Sequence, residues 1–576
     1  MNSITKYFIL ISMAAVLAGC QKDFLQMPTS SATTLDSVFS TAIKAQGTIS
    51  NAYRRAIPQG LPFANTWNAM IPENLSGAMN FGFSWTLSRN IILNGMNANS
   101  TNTDMDGYNN NFPAIRQCYL VKENIDKVKD MSADEKAVVK SEMQALIAYR
   151  YTQMMIMYGG VPIVSKSLDA NDEGSLEIPR SSLKNVLDSV VKWTDQSAAV
   201  LPSRWANNLI GRMTKSAALA IKAKALLYAS RPLFNTATPY LDLGVNNNLV
   251  CLGSTNANLW NQAAAAADAV ITEAEAAGGL SIINTGNPLD DYGTATSKLN
   301  NPEVILAYKF INTSGATDNW GELPMNAFYC SRYWQGQGNV LMTHQLEQYW
   351  KADGTNQSWP AVGTTRPFSE YTTKVNQMEA RFKASFQPWE MDAWTNPGDA
   401  NWRNNSTFGS GPGFGVARVS KFYYKAGGRR WFEFPIFRLA SAYLSAAEAY
   451  NEMGQSTKAL EKLNKIHVRA GLPPVTETNQ AKLRAIIQRE WMVEMFNENY
   501  RLYDIKHWKL SNIGNGIIGG AARGFAFNDL SNVKLTGNTN YTDREVYQGF
   551  WSSSQFLNPF PQVEINKGYL IQNPGY

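Results

Sequence analysis

The sequence predicts a mainly α-helical chain: a tetratricopeptide-like scaffold of about four helix pairs, carrying long loop-rich insertions with small sheets. Three observations predict it. Apolar residues recur at helical spacing through several segments that begin and end on capping and stop signals. Tyr443, Ala446, Ala447, Tyr450, Ala459 and Leu463 follow the spacing of a tetratricopeptide repeat, W-x2-L-G-x2-Y…A-x3-F. Two stretches, 56–112 and 280–432, are instead rich in Gly, Asn, Pro and Trp, with strand-like runs such as Val304 to Phe310. The 576 residues are 44% hydrophobic, enough to bury large cores. Lys and Arg number 52 against 46 Asp and Glu, so the net charge of +6 is dilute. Nucleic acid and anionic membrane faces call for clustered cations and are not indicated. With only 17% charged residues but 16 Trp, 25 Tyr and 25 Phe, the composition suits neutral polar ligands.

At the start, Lys6 precedes an apolar run from Tyr7 to Ala18, about twelve residues, the length of a signal-peptide core. It falls short of the roughly 20 residues that cross a bilayer as a helix. Leu17-Ala18-Gly19-Cys20 resembles the bacterial lipobox, in which the cysteine is acylated and becomes the new N-terminus. Residues 1–19 are thus expected to be a signal peptide, with Cys20 the lipid attachment and 20–32 a tether. Each buried CH₂ contributes about 0.8 kcal/mol, so several acyl chains hold firmly where one binds reversibly. Gln21-Lys22-Asp23 resembles the short acidic export signal of surface lipoproteins in the Bacteroidetes. The remaining cysteines, Cys118, Cys251 and Cys330, have no disulfide-framework spacing and read as small buried hydrophobes, with one pair left open.

The scaffold is expected over 33–55, 113–277 and 433–510, within one domain running from 33 to 576. Ser132-Ala133-Asp134-Glu135 reads as a capping box opening a helix, which Gly159-Gly160 and Pro162 end. Met213 to Ser230 and Trp260 to Ala277 are rich in Ala, which lets neighbouring helices approach closely. One tetratricopeptide-like unit cannot bury its own face. Its partners are expected to be 33–55 with 113–129, 134–158 with 181–200, and 213–230 with 260–276. The single unit alone would fit any α-hairpin equally well.

Catalytic and metal motifs are sparse. His344, His467 and His507 are far apart and match no ligand spacing, and neither a G-x-S-x-G elbow nor a Walker loop occurs. Gly409 to Gly415 is Gly-rich but neither follows a clear strand nor opens a helix. Glu490, Glu494 and Glu498 share a spacing of four and could offer paired carboxylates to a glycosidase. With Arg489, Arg501 and Asp504 nearby they read better as a structural ion-pair network along one helix face.

Ordered segments along nearly the whole chain resemble the SusD/RagB family of Bacteroidetes surface lipoproteins. The lipobox leads into Asp23-Phe24-Leu25 and Pro28, like the family's start. Tyr149-Arg150-Tyr151 through Tyr158-Gly159-Gly160-Val161-Pro162 looks like its YGGVP segment. Gly211-Arg212 through Arg231-Pro232-Leu233-Phe234-Asn235 looks like the next helix and its exit, and Phe437 to Asn464 covers the repeat. Glu490, Glu494, Glu498, Arg501, Asp504 and Trp508 follow the ER…E…EG.R..DL.RW helix, with Asn499 and His507 where Gly and Arg are usual. Asn558-Pro559-Phe560-Pro561, Glu564 and Gln572-Asn573-Pro574-Gly575-Tyr576 resemble its closing segment. The resemblance implies four tetratricopeptide-like helix pairs carrying a variable ligand face. It also implies an outer-membrane, cell-surface location and a lid-like partnership with a SusC-type TonB-dependent transporter. Family members capture oligosaccharides, or peptides in the RagB branch, without cleaving them, so neither a catalytic residue nor a cofactor is expected.

Neutral sugars are held by flat apolar faces with hydrogen-bonding tips, which Trp and Tyr provide. About 100 Å² of Trp face contributes roughly 2.5 kcal/mol at about 25 cal/mol per Å². Two such faces are largely offset by an association cost of about 4 kcal/mol or more, giving millimolar to micromolar affinity. Candidates fall in the insertions, because functional residues concentrate on loops held by a scaffold. They are Asn319 and Trp320, then Tyr329, Tyr333 and Trp334, with Tyr108, Trp85 and Arg89 from the first insertion. Trp350 looks structural. The Trp-rich, weakly charged loops favour oligosaccharide; a RagB-like peptide binder and a surface glycosidase are the alternatives.

Overall fold

The computed structural model describes residues 34–57, 72–81, 87–99, 108–168, 176–309, 339–389, 415–422, 424–425, 433–527 and 540–576. Four helix pairs stack among them: α1 (Ala42–Ala56) on α2 (Tyr108–Asn124), α3 (Ala133–Tyr158) on α4 (Leu183–Ala198), α5 (Lys215–Ser230) on α6 (Asn258–Ala276), and α7 (Leu439–Glu452) on α8 (Ser456–His467). These are the four expected pairs. The second helix starts earlier than expected: α2 opens at Tyr108, inside the first insertion, and contains Pro113 in its second turn.

Local chemistry explains the boundaries. Ser132 accepts from the Glu135 amide while the Glu135 carboxylate accepts from the Ser132 amide, closing the capping box at the start of α3. At its end Gly159 adopts φ +80°, and a Cβ there would lie 2.4 Å from the Leu249 carbonyl oxygen. A Cβ on Gly160 would lie 2.2 Å from the Ser181 carbonyl oxygen. The double glycine thus lets three backbone segments meet. Arg180 satisfies their carbonyls, donating to Gly160 at 2.7 Å, Ile571 at 2.9 Å and Tyr158 at 3.1 Å. In the last pair Ala446, Ala447, Ala459 and Leu463 are fully buried. The hydroxyls of Tyr443 and Tyr450 donate to Glu275 and Asp268 of α6, tying the fourth pair to the third.

Three antiparallel sheets hang on this frame. The first has order β1-β3-β6-β5 (Met79–Phe81, Asn339–Leu341, Ala417–Val419, Phe386–Pro388). The second pairs β2 (Val304–Lys309) with β7 (Glu433–Arg438), which runs straight into α7. The third has order β4-β9-β8 (Thr365–Pro367, Asn540–Gly549, Gly520–Phe527). Cys118 and Cys251 are buried free thiols, and burial pushes Cys118 up to about 12. Cys330 lies outside the described residues.

The glutamate cluster departs from its sequence reading. Helix α9 (Gln480–Glu494) stops at Glu494. Glu498 returns to its neighbours through Asn497 and Asn499, both at positive φ, rather than along a helix face. Arg489 and Arg501 are not its partners. Arg489 donates to Gln348 and Tyr349 carbonyls and lies 3.8 Å over the Trp350 ring, while Arg501 meets His344 at 2.8 Å. Asp504, in α10 (Arg501–His507), pairs with Arg231 at 2.6 Å and accepts from Tyr228.

Candidate functional site

Of the residues nominated for ligand contact, Trp85, Asn319, Trp320, Tyr329, Tyr333 and Trp334 lie outside the described residues, as does Cys20. Tyr108 and Arg89 lie within them. Tyr108 is 2% exposed. Its ring sits edge-on to Phe560 at 5.0 Å, Phe112 at 5.1 Å and Tyr158 at 5.8 Å, and burial pushes its hydroxyl pKa up. Packed among these rings, Tyr108 locks α2 to the YGGVP turn and the closing segment. Arg89, on the short helix Leu87–Asn94, stacks its guanidinium 4.2 Å over the Tyr547 ring of β9. Burial lowers its pKa from the usual arginine value.

Strand register shows how the two insertions meet. Phe81 of β1 pairs with Asn339 of β3, antiparallel. The end of β1 and the start of β3 therefore lie together at one end of the same sheet. The helix bearing Arg89 follows directly and packs on β9. Trp350, by contrast, is 7% exposed with Arg489 on one face, in keeping with its structural reading.

The densest acidic group is sealed. Glu303, Glu379, Glu490, Glu494 and Glu498 are almost fully buried against Arg381, Arg438, Arg469 and Lys421. Glu494 accepts from Arg469 at 2.5 Å, and from Arg438 and Arg381 at 3.2 Å each. Glu490 accepts from Arg381 at 2.5 Å and lies 2.9 Å from His467 Nδ1. Burial alone would raise Glu490 and Glu494, but the surrounding cations outweigh it and hold both at about 2. Glu490 and Glu494 are thus held ionised at neutral pH and shielded from solvent, which suits a structural clamp. The clamp draws on α9, β7 and the segment around Glu379–Arg381, so it ties the strand-bearing insertion to the helical frame.

Stacked helix pairs, with strand-bearing segments inserted between the third and fourth, define a helical-repeat scaffold protein. Two family models match the chain: the SusD family model over residues 302–576, and one described as "Starch-binding associating with outer membrane" over residues 23–227. Solved structures agree along nearly the full length. A SusD-like protein from Bacteroides fragilis is 21% identical with a TM-score of 0.73, covering 94% of this chain and 98% of its own. A SusD-like carbohydrate binding protein from the same species is 18% identical with a TM-score of 0.69, covering 93% and 99%. A SusD superfamily protein from Parabacteroides distasonis is 16% identical with a TM-score of 0.61, covering 93% and 99%. No curated protein matches. The chain belongs to the SusD/RagB family.

Proposed function

We propose that this chain is a nutrient-binding lipoprotein of the outer membrane, anchored through Cys20. It captures oligosaccharides at the cell surface and passes them to a SusC-type TonB-dependent transporter without cleaving them. Family membership carries the binding role, and the name of the model matching residues 23–227 supports association with the outer membrane. The single structural observation in favour is the Phe81–Asn339 pairing, which brings the end of β1 and the start of β3 together at one sheet end. Asn319, Trp320, Tyr329, Tyr333, Trp334 and Trp85 are the proposed ligand face, with Arg89 at its border and Tyr108 withdrawn from it. Non-catalytic capture is favoured by the sealed state of Glu490, Glu494 and Glu498, the densest carboxylate group in the sequence.

The test is calorimetry on the chain from Gln21 onward, against oligosaccharides and short peptides, for wild type and Trp320→Ala. Millimolar to micromolar sugar binding, weakened about tenfold or more in the variant and without product formation, is expected. Peptide binding alone would move the ligand class to the RagB-like alternative. Sugar hydrolysis would replace capture by catalysis.

A further inference from the structure

Away from the sheet end just described, a cavity of about 310 Å³ opens between three loops and the strand β2. This is at the lower end of the roughly 300–1,000 Å³ that ligand sites occupy. One wall is the segment between α4 and α5, which places Ser203, Trp205, Asn207 and Thr214 on the cavity. The opposite wall is β2 from Val304 to Lys309, with Asn300 and Glu433 beside it.

Trp205 is held firmly although it is only half-buried. Its indole N–H donates to the Met213 carbonyl at 2.8 Å, and the Arg212 guanidinium lies 4.4 Å over its ring. Arg212 is itself fixed, its Nε donating to Glu142 Oε1 at 2.6 Å. Across the cavity Lys309 is neutralised by Glu433 at 2.5 Å and also donates to Asn300 at 2.5 Å. Gly211, at φ +106°, lets this lysine stem lie against the loop, since a Cβ there would stand 2.9 Å from it. Arg212, Lys309 and Glu433 are therefore matched from within the protein, and the remaining charge on the lining is the exposed Arg204, which stands beside Gly279. What the cavity offers is a fixed aromatic ring beside neutral hydroxyl and amide groups. Ser216, which also lines it, buries a hydroxyl that has no hydrogen-bond partner among the described residues. Such a hydroxyl is costly to leave unmade and is well served by a guest hydroxyl or a water.

We propose that this cavity is a second saccharide site, taking one neutral sugar ring on Trp205, separate from the face on the inserted segments. The assignment rests on the oligosaccharide reading above.

The test is fluorine NMR on the chain from Gln21 onward, labelled with 5-fluorotryptophan at its 16 Trp positions. Trp205→Phe and Trp320→Phe assign the two resonances of interest. The probes are glucose, galactose, mannose, N-acetylglucosamine, maltose, cellobiose and, as a peptide control, triglycine. The expected result is a saturable shift of the Trp205 resonance with at least one sugar, retained in Trp320→Ala. Ser216→Ala should weaken that response about threefold to tenfold while the unliganded spectrum stays the same. If the Trp320 resonance shifts with sugar and Trp205 stays silent, this second site is refuted and the capture function stands. If no sugar moves either resonance, both readings fall. A Trp205 shift produced by triglycine alone overturns the saccharide assignment.

Discussion

Replacing Glu494 by Gln removes one charge from the sealed cluster with little change in volume. Three guanidinium groups converge on this carboxylate, Arg469, Arg438 and Arg381, and all are fully buried. Two routes give the size of the loss at pH 7. Burial would raise the carboxyl, yet the three arginines hold it at about 2 against an ordinary 4.5. The difference between 4.5 and about 2 corresponds to roughly 3 kcal/mol. Removing one member of a buried ion pair independently costs about 3–5 kcal/mol, because the partner charges stay buried. Urea unfolding followed by far-UV circular dichroism is the assay. With an m-value of about 3 kcal/mol/M, the midpoint should fall by about 1 M. Asp188→Asn is the control, since its pair with Lys184 is 71% and 56% exposed and should matter by less than about 1 kcal/mol. A carboxylate whose folded pKa is depressed stabilises above its unfolded pKa, and the benefit fades as pH falls toward the folded value. Wild type should therefore lose this term between about pH 4.5 and 2, and Glu494→Gln should be flatter there. A loss no larger than that of Asp188→Asn would refute the clamp.

Glu73 behaves in the opposite sense. Burial outweighs Arg501 and Lys421 and raises its carboxyl to about 7, so the folded state holds the proton more tightly. Stability from this group is full below about pH 4.5 and declines as pH rises to 7; Glu73→Gln should gain up to about 3 kcal/mol at pH 8, read as a higher Tm. His344 and His507 are held near 3, chiefly by burial, so each contributes stability above pH 6.5 that is lost as pH falls toward 3. His507→Asn should decline less steeply than wild type between pH 6 and 4 in a series of urea titrations. Gly160→Ala would set a methyl 2.2 Å from the Ser181 carbonyl oxygen and should cost about 1–3 kcal/mol. An unchanged Tm would show that the turn can relax.

The helical frame was legible because its signals are local. A capping box, a double glycine and a small–large spacing each act within about one to three helical turns, and those marking α3, α5 and α7 appear where the sequence puts them. Asn499 shows why a departure from the family pattern can be harmless. The position has φ +66°, and asparagine tolerates the left-handed region better than other non-glycine residues. The partners of the glutamate cluster were not legible. Glu494 is met by Arg381, Arg438 and Arg469, which stand 113, 56 and 25 residues away and belong to separate elements. Periodicity within α9 suggested neighbours along one helix, and the break at Met495 made them wrong.

The same contrast decides how aromatic residues should be judged as ligand contacts. Tyr108 and Trp205 both stand beside polar, loop-like sequence, and nothing local separates a ring that packs from one that waits for a guest. What separates them is what the distant chain does. Phe560, from the closing segment, covers Tyr108 together with Tyr158, leaving 2% exposure. Over Trp205 the chain supplies Arg212, already committed to Glu142, while β2 stands across an open cavity. An aromatic side chain is free for a ligand when its neighbours satisfy each other and still leave it a void, and that is a property of the assembled fold. For Trp320 and its neighbours the corresponding question is answered by the Trp320→Ala titration. The described strands are fixed by the Phe81–Asn339 pairing and by Arg438, bound to Glu303, Glu494 and Glu498. Loops held by a rigid frame of this kind can vary in sequence without cost to the scaffold.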